Sequence, residues 1–581
     1  MRFSPLAVLL ATSALALPAV AGAMAMMPAP NDLPGQDLST AGAHRMEDMT
    51  MSAKAPFDIG YGLNVLKPAA MSPKTAAAMG RVAGAVAPAE PTAGVAGHFD
   101  PLVPWPIVGL HEILLPDGRV LNYGTNLNIQ NTFIYDVWDP SKGFDSASHN
   151  LLKNTTNTDI FCSFQSMIWS TGEVLITGGD VDENGKSRSN HSNNKTTIFS
   201  PAKNEIRSSG SMQYPRWYPS IVAMPNGDMV TLGGRVAPFM SAYTPEAYTP
   251  ATNSWRTLTG ASSSAAFGEA IGGWYYPKGF VSPAGDIFVA ANTGGMWSVD
   301  PTGVGSIVSH VVPKGVTALA RGSLTLPTIM YAPGKLFSIR INRVVQTIDI
   351  NGKEPVVTRI ADIDQDRFWA NATVLPDGKI MVNGGSLHPN ALQGPAYSVQ
   401  IWDPATGAWT TGASALKYRL YHSIALLLPD GTVLTGAGGS PGPTTERNAE
   451  LYYPPYLYLK DGSGAPAPRP TLASAPTDVT IGNNVTATVG NGDVISRVTF
   501  VRNGSVTHST NIDQRFFDLQ FTQTGTTVTA TLPTDSRVLV PGYYMLFVHQ
   551  NGVPSVAKII RITPSGAVSP VTAATSMSQP H

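Results

Sequence analysis

Between residues 101 and 462 the apolar residues fall in short runs, each cut off by a glycine turn, with none of the three-and-four spacing of an amphipathic helix. The turns recur as Leu115-Pro116-Asp117-Gly118, Ser170-Thr171-Gly172, Pro225-Asn226-Gly227, Pro283-Ala284-Gly285, Ala332-Pro333-Gly334, Pro376-Asp377-Gly378 and Pro429-Asp430-Gly431. Runs such as Ile221 to Met224 and Ile424 to Leu428 precede a turn, and runs such as Val174 to Thr177 and Met229 to Leu232 follow one, often ending in Gly-Gly. Apolar runs this short, with Gly or Pro at both ends, predict β-hairpins. Several units continue into a third strand and then a Pro-x-x-x-x-Trp turn, as in Pro250 to Trp255 and Pro404 to Trp409.

The turns lie about 45 to 58 residues apart, the period of a four-stranded kelch-type blade. Seven units predict a seven-bladed β-propeller over 101–462. After Pro466 the Gly-Gly hairpins stop, and seven short alternating segments follow, from Val479 to Ile562. That pattern predicts an immunoglobulin-like β-sandwich over 463–565, so the expected class is all-β throughout.

The propeller makes a geometric prediction. Residues at equal offsets from the turn glycines lie at one height on the innermost strands and face the central axis. Counting back nine or ten places gives Cys162, Tyr218, Tyr275 or Tyr276, Trp369 and the pair Tyr421-His422. Trp369 and Tyr275 read as plugs of the channel. A thiol, two phenols and an imidazole at one height read as a site.

The chain ends sharpen the meaning of the cysteine. Arg2, the apolar run Leu6 to Leu17 and small residues around Ala21 predict a signal peptide over 1–23, hence a secreted or periplasmic protein. Cys162 is the only cysteine of the 581 residues, so it has no partner for a disulfide within the chain. Residues 24–100 are rich in Ala, Pro and Met and read as a linker or pro-segment, and 566–581 as a flexible tail. His44, Met46, Met49 and Met51 would suit Cu(I), but the preferred reading is a flexible tether of common residues.

Formal net charge is −1 and 13% of residues are charged, which gives no basic footprint for nucleic acid or anionic lipid. A small neutral partner and a monomer are expected. There is no His-Glu-x-x-His, no Cys-x-x-Cys, no Gly-x-Ser-x-Gly elbow and no dinucleotide fingerprint. His508, read on its own residues, is a surface histidine at a loop tip.

Phe161-Cys162, Arg216-Trp217-Tyr218, the run Arg419 to Gly431, the run Thr507 to Arg515 and the run Pro541 to Val548 resemble, in order, the characteristic segments of the copper radical oxidases, the galactose oxidase and glyoxal oxidase family. The resemblance covers about residues 101 to 563. It implies one copper ion held by Tyr218, Tyr421, His422 and His508, with His508 carried into the propeller on a loop of the second domain. It also implies a thioether between Cys162 and the ring carbon ortho to the Tyr218 hydroxyl, making a protein-derived radical cofactor. Such a site oxidises aldehydes, as hydrates, or primary alcohols with O2 and releases H2O2. In that scheme Tyr421 takes the substrate's hydroxyl proton and the Tyr218 radical takes a hydrogen atom from its carbon.

Three departures bear on substrate. Residues 24–98 are too irregular to form the carbohydrate-binding module that galactose oxidase carries before its propeller. Arg235-Val236 follows Gly233-Gly234, where galactose oxidase places an indole over the thioether, leaving Trp217 or Trp369 as candidates for that role. Ser163-Phe164 follows the cysteine in place of smaller residues. The Arg216-Trp217-Tyr218 block and the lost indole tilt the expectation toward glyoxal or alcohol oxidases and away from a sugar-directed enzyme. The rivals are a non-enzymatic kelch propeller used for binding or adhesion, and a propeller hydrolase or lyase acting on polysaccharide.

Overall fold

The computed structural model describes residues 86–126, 133–183, 186–269, 272–310 and 325–566. The predicted signal peptide, the His/Met cluster and the tail beyond residue 566 lie outside the described residues.

Seven antiparallel sheets of the propeller type follow one another. The third blade shows the plan: Trp217–Ala223 innermost, then Met229–Ala237, Glu246–Thr249 and Ser254–Thr257 outermost. The innermost strands of blades one to four pack in succession, as do those of blades five to seven, and that of the seventh, Ser423–Leu427, returns to that of the first, Val108–Leu114. Every predicted turn glycine has a left-handed backbone, with φ between +64° and +99°, which explains why glycine recurs there.

The Gly-Gly pairs have a second cause. At Gly178 a Cβ would lie 2.1 Å from the Arg216 carbonyl oxygen of the next blade, and the Gly179 N–H donates to that same oxygen at 2.9 Å. Only a bare backbone lets one blade's second strand reach the next blade's first.

The ring closes with a strand from the other end of the domain. His98–Phe99 pairs with Asn448–Tyr453 and forms the outer edge of the seventh blade, so the propeller begins slightly before the expected residue 101. Hydrogen bonds between distant parts of the chain thus close the ring of blades.

The second domain is two facing sheets. Leu472–Ser474, Asn484–Val489, Thr527–Thr531 and Phe521–Thr524 form one, and Asp478–Thr480, Lys558–Thr563, Gly542–Gln550, Arg497–Arg502 and Phe516–Leu519 the other. The sequence pattern predicts one strand from Phe516 to Phe521; the chain instead passes from one sheet to the other at Gln520.

Ser505–Thr507 leaves this sandwich altogether. It pairs antiparallel with Val108–Leu114, His111 opposite Thr507 and Ile113 opposite Ser505, adding a fifth strand to the first blade on its axial edge. The next residue is His508.

Candidate metal centre

The axial positions share an unusual backbone. Cys162, Tyr218, Tyr276, Trp369 and His422 all have positive φ, between +37° and +69°, a region that costs side-chain-bearing residues roughly 1–3 kcal/mol each. Each turns the chain out of β geometry at the head of the innermost strand. Three donate their N–H to the preceding blade: Tyr218 to Cys162 O, Tyr276 to Tyr218 O and Trp369 to Thr325 O, each at 2.9 Å.

This kink defeats the alternation of a strand, in which successive side chains point to opposite faces. Trp217 and Tyr218 are consecutive yet stacked, ring centroids 4.0 Å apart and planes at 27°. Tyr421 and His422 stack likewise, at 3.7 Å and 26°.

The predicted site residues converge. The Tyr218 and Tyr421 hydroxyls are 2.6 Å apart. Donor atoms of Cys162, His422 and His508 all lie within 4.8 Å of one another, with Cys162 Sγ 4.0 Å from His508 Nε2. The Tyr218 side chain is within hydrogen-bonding reach of the Cys162 thiol. All are buried, His508 included at 0% exposure, so the surface position read from its residues alone is corrected. Pairing of Ser505–Thr507 with the first blade carries the histidine inward, which no local pattern reveals.

The imidazoles are preset. His422 Nδ1 lies 2.6 Å from the Gly439 carbonyl oxygen, which can only accept, so Nδ1 carries the proton and Nε2 a lone pair. That Nε2 is buried with no partner. His508 is fixed at the other end by a 2.5 Å hydrogen bond between Nδ1 and Thr507 Oγ1. Burial lowers the His422 pKa to about 3, and burial with the nearby His422, His111 and Lys278 lowers that of His508 well below the ordinary value, so both are neutral. Burial above all, with the neighbouring Cys162 and Tyr421, raises that of the Tyr218 phenol.

A buried orphan imidazole nitrogen, a second imidazole and two touching phenols fit a tetragonal cupric ion, which takes nitrogen and oxygen ligands and lowers a phenol's pKa. The Gly439 carbonyl is the outer-shell support. Gly439 has φ +87°, and a Cβ there would lie 1.7 Å from Thr444 O. Gly439→Ala is expected to cost about 1–3 kcal/mol through strain and to weaken copper binding about 10- to 100-fold. Thermal melting and copper titration check both.

Residues 469–562 match the family model described as "Galactose oxidase-like, Early set domain". Galactose oxidase of Gibberella zeae is 28% identical over 80% of this chain and 71% of its own length. A fungal alcohol oxidase of the AA5 family, solved in complex with copper, superposes with a TM-score of 0.69 at 25% identity, covering 81% of this chain and all of that one. Over about four-fifths of its length the chain is similar to copper radical oxidases. "Aldehyde oxidase GLOX" of Vitis pseudoreticulata is a further relative, 24% identical over 78% of this chain and 97% of its own. The protein is a copper-dependent oxidoreductase acting on alcohols or aldehydes with O2.

Several residues at the centre escape the count-back. His111 stacks on Tyr123 at 4.4 Å and lies 5.6 Å from the His508 ring, and Lys278 donates to Thr510 Oγ1, whose hydroxyl in turn meets the His508 carbonyl at 3.2 Å. Both lie seven places before a turn glycine, so a second count at that offset exposes them. Trp274 lies nearly parallel to Trp217, centroids 6.1 Å apart, and the Arg235 guanidinium lies over the Trp274 ring at 3.9 Å. Trp369 packs on Tyr421 at 4.5 Å, and Phe164 on Tyr276 at 6.0 Å.

Proposed function

We propose that the protein oxidises aldehydes, as their hydrates, or primary alcohols, through copper held by Tyr218, Tyr421, His422 and His508 and a radical on a Cys162-Tyr218 thioether. The 2.6 Å contact between the two phenol oxygens, with the thiol against one of them, carries this reading. For an alcohol the balance is RCH2OH + O2 → RCHO + H2O2. The bound metal would supply one electron-accepting centre and the charge that ionises the phenols.

The residues do the rest. Tyr421 receives the hydroxyl proton of the substrate. Tyr218, oxidised by one electron, takes a hydrogen atom from the adjacent carbon and returns to phenol. Forming the thioether removes one hydrogen from the Cys162 sulfur and one from the Tyr218 ring; O2 accepts both with their electrons and becomes H2O2. The sulfur then feeds electron density into the ring and lowers the energy of its radical.

Trp217 is the indole that shields this radical. It covers the Tyr218 ring face to face, whereas Trp369 meets Tyr421 instead. Trp217→Leu should shorten the radical's lifetime, read by its optical or paramagnetic signal, while leaving copper content unchanged.

Peroxide release from simple aldehydes or alcohols, abolished by chelation and restored by copper, tests the reaction. No release from either class would return the protein to the binding-module reading. One other reading has an observation behind it: Cys162 with His422 and His508 resembles the His2Cys donor set of an electron-transfer copper site. There Cys162 would be a thiolate ligand and Tyr218 unmodified, so the state of the sulfur separates the two. Export from the cytoplasm is part of the proposal, since thioether formation consumes O2 and a buried free thiol is otherwise unexplained.

A further inference from the structure

Six residues after each turn glycine stand Gly124, Gly178, Gly233, Ala291, Arg340, Gly384 and Ala437. Six blades keep this place small, where the second strand ends on the copper face. The fifth puts an arginine there, just past Lys335–Ile339.

The Arg340 side chain is 3% exposed. Its Nη1 donates to the Ala291 carbonyl at 3.2 Å, and its Nε and Nη2 have no partner among the described residues. Other arginines buried in this propeller each hold a carboxylate: Arg216 with Glu246 at 2.8 Å, Arg367 with Asp364 at 2.7 Å and Arg419 with Glu450 at 2.9 Å. Arg340 has none, and burial alone lowers its pKa to about 9, which leaves it a cation at neutral pH. A buried guanidinium with most donors unused calls for an anion.

The neighbourhood is rich in unused donors. The fifth blade stands between the fourth, which brings Tyr275, and the sixth, which brings Trp369. The Tyr275 hydroxyl and Trp369 Nε1 are both buried without a partner, their rings 6.3 Å apart, and Tyr275 touches the Tyr218 ring at 4.6 Å. Arg340 lies one strand further from the axis, a spacing of ~5 Å. The reacting carbon and this cation therefore share one sector of the face.

We propose that Arg340 anchors a carboxylate of the substrate, so that the enzyme favours small aldehydes or alcohols bearing a carboxylate near the oxidised carbon. The carboxylate takes the free Nε and Nη2 donors as a bidentate pair. The substrate assignment rests on the oxidase reading above; the anion site does not.

Two measurements separate them. Calorimetric titration of the copper-loaded protein with propionate should show binding that propionamide does not reproduce, weakened about tenfold or more in Arg340→Met, the scale of a charge-assisted hydrogen bond. Arg340→Lys should retain part of it. Equal propionate affinity in wild type and Arg340→Met, or none in either, overturns the site. In turnover, Arg340→Met should raise KM for glyoxylate about tenfold while kcat, and KM for methylglyoxal, change less than about twofold. Equal rises for both substrates would make Arg340 structural and overturn the assignment. If neither substrate is oxidised, the oxidase reading falls, and the propionate titration still decides the anion site.

Discussion

Cys162→Ala is expected to keep its copper and lose oxidase activity about a thousandfold, roughly 4 kcal/mol of barrier. The proposed metal ligands are two phenols and two imidazoles, none of which the substitution removes. What disappears is the sulfur proposed to join the Tyr218 ring, and with it the means of oxidising that ring at a modest potential. Cys162 is fully buried and its thiol pKa is raised, chiefly by burial and then by Asp180, so an unmodified thiol here is a poor nucleophile and a poor ligand. Copper content and turnover measured on one preparation check the split. If the variant loses its copper along with its activity, Cys162 is a ligand and the His2Cys reading gains.

His508→Ala should behave oppositely. Removing one of two imidazoles is expected to weaken copper binding by more than the ~10–100-fold that loss of an outer-shell partner costs, and activity should fall with it. The effect reaches stability as well. His508 ties a loop of the sandwich to the propeller axis, so copper held as proposed would join both domains and should raise the melting temperature by mass action. In His508→Ala that rise should shrink at equal copper concentration. Melting curves with and without copper for wild type and variant check this, and an undiminished rise would place the metal elsewhere.

Most of the propeller is legible in the sequence because its turns depend on backbone chemistry that only glycine supplies cheaply. Gly118 through Gly431 mark the hairpins, and Gly178-Gly179 mark where one blade's chain touches the next. The axial residues follow from simple counting, since every blade is built on one plan. What counting misses follows from the kink. Because Tyr218 and His422 have positive φ, Trp217 and Tyr421 share a side with the residue that follows them, against the two-residue period of a strand. A period of two therefore gives no ground for choosing Trp217 over Trp369 as the shield. His508 is hidden for a different reason. Its neighbours are polar, as in a surface loop, and its burial comes from a strand pairing with Val108–Leu114 some 400 residues away along the chain. Arg340 stands out only when the seven blades are aligned and their contacts compared.

The relatives named as galactose, aldehyde and alcohol oxidases span several substrates, so the family leaves the choice open. The substrate has to be read from the copper face of this chain. Gly233-Gly234 leads into Arg235, which covers Trp274, and the indole over Tyr218 comes from the residue just before it. The fifth blade contributes a bare cation.

The bond between Cys162 and Tyr218 is the central claim, and its mass tests it most directly. Digestion of the copper-loaded, aerobically matured protein should release a single species containing the segments around Cys162 and Tyr218, lighter than their sum by two hydrogen atoms and resistant to reducing agents. Recovery of the two peptides separately, at full mass and with a thiol that alkylates after denaturation, would contradict the account.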